Sequence, residues 1–239
     1  MVGTTFKGKN TMKICIFADI HGNIDAFNKM LETEFDKVER FIFAGDIFGY
    51  FYGQIEIIKQ FMSIEKLIAI KGNHEEYYLF GRKGKSLIDK YGSSYALTLS
   101  EMQKNYISGL ASRAELSICG KRIGIFHGGP KDFLEQRIYP NSVLENECEN
   151  LKYDHIICAH THYRLLYKNK GVTIINPGSL GQPRDGKGFS YCIWDTEKDA
   201  FEFKTVKVDV AFLLNQVNSV DSDKYVWKYL SKKYKDCEG

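Results

Sequence analysis

The sequence predicts an α/β fold in which parallel strands deliver polar side chains to one edge, and three observations predict it. Short apolar runs recur along the chain, each closed by a residue of metal-binding type. Stretches with the apolar spacing of a helix separate the first of these runs, which gives a β-α-β-α-β order and hence parallel pairing with right-handed crossovers. The chain has 239 residues, 44% of them hydrophobic and 14% aromatic, enough for one large core or two small ones.

The first run, Lys13-Ile14-Cys15-Ile16-Phe17-Ala18, ends in Asp19-Ile20-His21-Gly22-Asn23. Its apolar residues run together instead of alternating, as in a strand buried on both faces. Asp19 and His21 lie two apart, so extended backbone would send both side chains to one side. Arg40-Phe41-Ile42-Phe43-Ala44 then ends in Gly45-Asp46, and Lys66-Leu67-Ile68-Ala69-Ile70 ends in Lys71-Gly72-Asn73-His74-Glu75. Arg122 to Phe126 closes on His127, and His155 to Ala159 closes on His160-Thr161-His162. Of the six histidines only His155 falls outside these strand ends. Ligands of open α/β sheets bind beyond the carboxyl ends of the strands, so five such ends would gather these side chains in one small volume.

The remaining elements follow in order. Residues 1–11 are polar and aperiodic and read as an extension outside the fold, with 12–239 forming a single domain. Asp25 to Phe35 carries Ala26, Phe27, Met30, Leu31 and Phe35 on one helical face, and Ile55 to Met62 repeats the pattern. Residues 75–116 read as a helical insertion that walls a cleft, with helices around Ser86–Tyr91 and Ser94–Leu110. Ser142 to Leu151 is an acidic helix candidate with a solvated face. From Gly171 the pattern turns to strands: Val172–Ile175 leads into Asn176-Pro177-Gly178-Ser179, and Phe189–Trp194 with Phe201–Val208 reads as an antiparallel hairpin. A Lys-rich amphipathic helix closes the chain.

Composition narrows the class. No apolar run approaches the roughly 18 residues that span a bilayer, and the first residues lack the apolar centre of a signal peptide, so a cytoplasmic location without membrane contact is expected. Six cysteines show no CxxC spacing and read as reduced thiols. Thirty-three bases against 30 acids leave a charge of +3, which does not indicate a nucleic-acid partner.

Taken together, Asp19-Ile20-His21, Gly45-Asp46, Gly72-Asn73-His74-Glu75, His127 and Ala159-His160-Thr161-His162 resemble the five signature blocks of the calcineurin-like metallophosphoesterases, and Asn176 to Ser179 with Gln182-Pro183-Arg184 resembles a loop of the bacterial and archaeal branch. The resemblance implies a four-layer α/β/β/α sandwich, two mixed β-sheets flanked by helices, with a dinuclear metal site. By position, Asp19, His21 and His162 would hold one divalent ion and Asn73, His127 and His160 the other, with Asp46 bridging. The mixed N/O donors suit Mn foremost, with Fe, Zn or Ni as alternatives, about 3.5–4 Å apart.

The implied activity is hydrolysis of a phosphomonoester or phosphodiester by a dimetal-bridging hydroxide attacking phosphorus. His74 would act as the catalytic acid or charge stabiliser, with Glu75 orienting it, and Asn73 and Arg184 would contact a small phosphorylated substrate, including nucleotides. Tyr50 reads as a packing residue and His155 as structural. After Gly45-Asp46 the chain has Ile47-Phe48-Gly49-Tyr50, where protein Ser/Thr phosphatases and diadenosine tetraphosphatases carry an Asp-Arg pair. Those two activities remain alternatives, as does a non-catalytic scaffold of the same fold. Oligomeric state is left open.

Overall fold

The structure, a computed structural model, describes residues 3–5, 11–81, 98–142 and 152–220. Its strands are β1 (Gly3–Thr5), β2 (Lys13–Phe17), β3 (Arg40–Phe43), β4 (Leu67–Ala69), β5 (Arg113–Ile118), β6 (Lys121–Phe126), β7 (His155–Ile157), β8 (Arg164–Asn169), β9 (Val172–Pro177), β10 (Phe189–Asp195) and β11 (Ala200–Val206). The helices are α1 (Ile24–Glu34), α2 (Gln54–Ser63), α3 (Asn73–Phe80), α4 (Glu101–Gly109) and α5 (Val210–Val220). Two mixed sheets face one another with helices flanking them, one of six strands in the order β1-β5-β6-β7-β9-β8 and one of five in the order β11-β10-β2-β3-β4. The five runs that end in polar residues are therefore divided, β2, β3 and β4 lying parallel in one sheet and β6 and β7 parallel in the other.

Burial on both faces explains why these runs lack alternation. In β2 and β3, Cys15, Phe17, Phe41 and Phe43 face the core under the helices. Ile14, Ile16 and Ile42 face the other way and meet Ile123 and Ile125 of β6, Ile157 of β7 and Ile175 of β9 between the sheets. Under α1 and α2, Phe43 and Phe61 stand edge to face at 4.9 Å and Phe27 and Phe61 pack at 5.4 Å. Each such side chain contributes about 1.5–3 kcal/mol by leaving water. Asn23 caps α1 by accepting from the Ala26 amide at 3.2 Å, which fixes where β2's loop ends and the helix begins. Inside the same core the buried Glu34 accepts from Tyr191 Oη at 2.8 Å and pairs with Lys204 at 3.0 Å.

Several expectations change. Gly3–Thr5, read as part of an extension outside the fold, instead pair in parallel with β5, because that edge of the six-stranded sheet is open to another ladder. The 75–116 stretch is not wholly helical where described: α3 and α4 are helices, but β5 begins at Arg113 and pairs antiparallel with β6. Only Leu116 and Ile118 of β5 are buried, so its apolar signal is weak and ladder hydrogen bonds define it. β8 escaped notice for the same reason, being a half-exposed edge strand beside β9. The helices expected at Ser86–Tyr91, across residues 143–151 and beyond Val220 lie outside the described residues, as does the start of the one placed at Ser94–Leu110. No helix among the described residues is long and apolar enough to cross a membrane.

Candidate metal centre

The chain turns sharply where each strand delivers its polar residue. Asp19, His21, Asp46, His160 and His162 have φ of 51°, 48°, 71°, 65° and 63°, all in the left-handed region. Asp and His tolerate that region better than most side chains, yet each such residue costs about 1–3 kcal/mol and persists only where its surroundings over-determine it. Asp19 and His21 therefore converge through two left-handed turns and not, as extended backbone would have it, by strand alternation. The loops are tied together. The Asp19 amide donates to Gly45 O at 2.9 Å and the His21 amide to Asp46 O at 3.1 Å.

Glu75 ties them further. Buried completely, it accepts from the amides of Gly72 at 2.7 Å, Asp46 at 2.9 Å, Ile47 at 2.7 Å and Phe48 at 3.2 Å. These four bonds hold the Asp46 loop, on which the carboxylate beside His74 sits. Gly72 sits so close to Asp46 that a Cβ there would lie 2.7 Å from the Asp46 amide nitrogen. On the other side, Ser179 Oγ donates to Asp19 O at 2.8 Å, and Asn176 donates to Ala159 O at 2.9 Å. The Asn-Pro-Gly-Ser loop is what joins the ends of β2 and β7.

With the backbone so held, the side chains point at one another. His21 Nδ1 lies 2.7 Å from Phe48 O, His127 Nδ1 2.8 Å from Ala44 O and His162 Nδ1 2.7 Å from Gln182 O. A neutral imidazole donating to its carbonyl leaves the Nε2 lone pair facing inward. His21 Nε2 and His162 Nε2 then stand 3.2 Å apart, two lone pairs face to face. Asp19 is fully buried with neither carboxylate oxygen hydrogen-bonded, and His160 Nε2 is likewise buried and unbonded. Buried polar atoms lacking partners are costly, and a cation satisfies opposed lone pairs and a bare carboxylate together.

Three groups could hold an ion, each with its ligand atoms within 4.8 Å: Asp19, His21 and His162; Asp46, His127 and His160; and His21, Asp46 and His74. Asn73 Oδ1, at the start of α3, lies 2.9 Å from His127 Nε2 and joins the second group. Asp46 belongs to the second and third groups, with Oδ2 3.2 Å from His127 Nε2 and 3.8 Å from His21 Nε2. His74 Nε2 lies 3.9 Å from the same oxygen, while its amide donates to Asp46 Oδ1 at 2.9 Å. All seven residues expected to bind metal, and His74, are therefore within one buried constellation.

The charges of His21, His162 and Asp46 match that arrangement. Burial and then the nearby His74 lower His21 to about 3, and burial followed by Arg184 holds His162 well below the ordinary histidine range, so both are neutral and free to coordinate. Burial opposes ionisation of Asp46, but His127, His74 and His21 overcome it and keep its carboxyl well below the usual range. Burial and the Asp46 charge raise Asp19 well above it. Burial would lower His127, yet Asp46 and Asp19 raise it to about 9. Burial and Asp46 push Glu75 up to about 7, against the pull of its amides.

Above the donors opens a cleft of about 90 Å³ whose rim includes Tyr50, Glu135, Arg137 and Arg184. Arg184 donates to Gln182 Oε1 at 3.0 Å, leaving its Nε unbonded. Tyr50, read as packing, stands at this rim with its ring 4.9 Å from that of His21. Glu135, whose carboxylate takes the Tyr77 hydroxyl and lies 3.9 Å from His160 Nε2, and Arg137 were not singled out in the sequence. They follow Gly128-Gly129-Pro130 in an irregular loop, where only the Gly-rich turn after His127 hinted at a site. His155 lies away from this centre, bonded to Asp199 at 2.8 Å.

A sandwich of two mixed sheets with a histidine and carboxylate centre at their common edge defines a class, and comparison with known proteins agrees. Residues 12–199 match the calcineurin-like phosphoesterase superfamily domain, and the chain belongs to that family. It is 30% identical over 218 residues to an uncharacterised protein of Methanocaldococcus jannaschii, MJ0912, covering 82% of this chain and 87% of that one. It is 28% identical over 197 residues to the phosphodiesterase MJ0936 of the same organism, covering 80% and 96%. Among solved structures, a metallophosphoesterase from Sphaerobacter thermophilus superposes with a TM-score of 0.78 at 23% identity, over 92% of this chain and 98% of that one, which supports the fold. Family membership and the donor set together imply divalent metal ions.

Proposed function

We propose that the protein is a dinuclear-metal phosphoesterase that hydrolyses a phosphodiester of a small phosphorylated molecule. One observation carries this reading: two buried groups of donors lie side by side, with Asp46 between them and the oxygens of Asp19 left without hydrogen-bond partners. The diester is favoured over the monoester because the relative MJ0936 is a phosphodiesterase. Asp19, His21 and His162 would hold one ion, and Asn73, His127 and His160 the other, with Asp46 shared. Two divalent ions there, Mn foremost, would supply Lewis acidity at the phosphoryl oxygens and water acidified enough to serve as nucleophile near neutral pH.

The chain's own groups do the rest. Carbonyls of Ala44, Phe48 and Gln182 fix the imidazole tautomers that present lone pairs inward. His74 sits over the centre with its ring 4.7 Å from that of His21 and donates a proton to the departing oxygen. Arg184 and Arg137 at the rim neutralise the non-bridging oxygens, and Asn73 contacts the phosphoryl group.

The test is to strip metals, restore Mn, Ni, Zn or Fe separately, and follow both bound metal and hydrolysis of bis(p-nitrophenyl) phosphate. Turnover is expected only with metal. Asp46→Asn is expected to reduce it to background and to lower the bound stoichiometry below two ions. Metal-independent turnover, or an Asp46→Asn protein with ordinary rates, would overturn the proposal.

A further inference from the structure

Beside the metal cleft lies a second recess, of about 380 Å³, lined by Tyr139, Pro140, Asn141 and Tyr163. Its rings meet edge to face, with centroids 5.7 Å apart and planes at 73°. It is covalently continuous with the metal centre at two points. Tyr163 directly follows the ligand-type residue His162, so their Cα atoms are about 3.8 Å apart. Tyr139 comes two residues after Arg137, which stands at the cleft's rim.

Both walls are held in place. Ile138, between Arg137 and Tyr139, is buried in the core against Phe126 and Leu165. A tight turn fixes the other side: the Tyr139 amide donates to Ser142 Oγ at 3.1 Å and the Ser142 amide to Tyr139 O at 3.0 Å. Arg164, next to Tyr163, is locked to Asp185 at 2.7 Å. Two half-buried aromatic rings, a proline face and one exposed amide form a surface that offers stacking and a single donor-acceptor edge, with no charge among these four side chains.

We infer that this recess binds the base of a nucleotide whose phosphoryl group lies in the metal cleft. The inference rests on the phosphoesterase reading for the position of the phosphoryl group and names its substrate class. The chemistry selects the occupant. A planar heterocycle stacks on tyrosine, and its polar edge answers Asn141, whereas an aliphatic chain would leave that amide unused. Arg137, which lines the metal cleft, comes two residues before Tyr139 of the recess, so the phosphate of a nucleotide that reaches both would meet its charge.

The base can be isolated experimentally by comparing AMP with ribose 5-phosphate, which has the same phosphate and sugar without the base, by calorimetry on the Mn-loaded protein. AMP is expected to bind about ten-fold more tightly, the size of one stacking contact. Tyr139→Ala and Tyr163→Ala are expected to bring AMP down to the level of ribose 5-phosphate without changing the latter, while the Tyr→Phe variants keep the preference. Thermal midpoints identify any variant that is simply unfolded, and the Phe variants then carry the comparison. Equal affinities in the unaltered protein, or alanine variants that weaken both ligands alike, would overturn the inference. If bis(p-nitrophenyl) phosphate is hydrolysed but AMP shows no advantage, the recess fails and the phosphoesterase stands. If AMP is preferred but no diester is cleaved, the reverse holds.

Discussion

Replacing Glu75 by glutamine tests whether one fully buried carboxylate, outside the lining of the cleft, sets the geometry of the metal centre. Its two oxygens accept from four amides, one from Ile47 and Phe48 and the other from Asp46 and Gly72. The glutamine amide keeps one oxygen and presents N–H to a pair of N–H donors, so above about pH 7, where Glu75 is ionised, two charge-assisted bonds are lost. Each is worth about 1.5–3 kcal/mol, which sets the destabilisation at about 3 kcal/mol or more. For a chain of this size that corresponds to a fall of about 6–12 °C in the thermal midpoint. Released from Glu75, Asp46 would relax from its φ of 71° and turn its carboxylate from the ligand position. Mn affinity should fall about 10–100-fold, as when other groups that orient metal ligands are removed. Glu76→Gln is the control: Glu76 is partly exposed and pairs with Lys71 at 2.7 Å, so it should change stability by less than about 1 kcal/mol. Thermal denaturation of the metal-free protein and calorimetric Mn titration measure both effects. A Glu75→Gln protein matching the parent in both would refute this account of the loop.

Three further outcomes are expected. Ser179→Ala removes the hydroxyl that donates to Asp19 O at 2.8 Å and accepts from the Gln182 amide at 2.7 Å, so it should cost about 2–4 kcal/mol in urea unfolding. An unchanged urea midpoint would count against it. Excess Mn should raise the thermal midpoint and EDTA should return it, since a site filled at one hundred times its Kd adds about 2.7 kcal/mol; no shift would contradict a metal centre. Away from the site, burial lowers His155 below its ordinary 6.5, even though Asp199 faces it, while Lys121 adds to the lowering. The unfolded chain therefore binds that proton first, so folding stability should fall as pH drops below about 6.5. His155→Gln should flatten that decline, and identical pH profiles for the two proteins would refute it.

How much of this was legible without coordinates depends on the range of the interaction involved. The strands at 13–17, 40–43 and 121–126 announce themselves because burial on both faces requires continuous apolar residues, a property of neighbours in the chain. The helices at 24–34 and 54–63 do so through their apolar spacing. β5 and β8 do not, because a half-exposed edge strand takes its definition from a partner ladder. Asp19, His21, Asp46, Asn73, His127, His160 and His162 stood out because ligand chemistry repeats at strand ends. Arg137, Glu135 and Tyr139 lie in an irregular loop whose residues carry no such repetition.

By itself the sequence determined the α/β class, the family and the identity of the residues that could bind metal, since these depend on residue type and local order. Only the tertiary structure decided that the five strands divide between two sheets, that Asp19 and His21 converge through left-handed turns, and that Glu75 serves the Asp46 loop. It also decided that Tyr163 faces Tyr139 beside the cleft. Each of these rests on contacts between residues remote in sequence, as His21 and His162 are by 141 positions and Asp19 and Ser179 by 160. Such contacts follow from how the two sheets pack, which no local pattern of residues encodes.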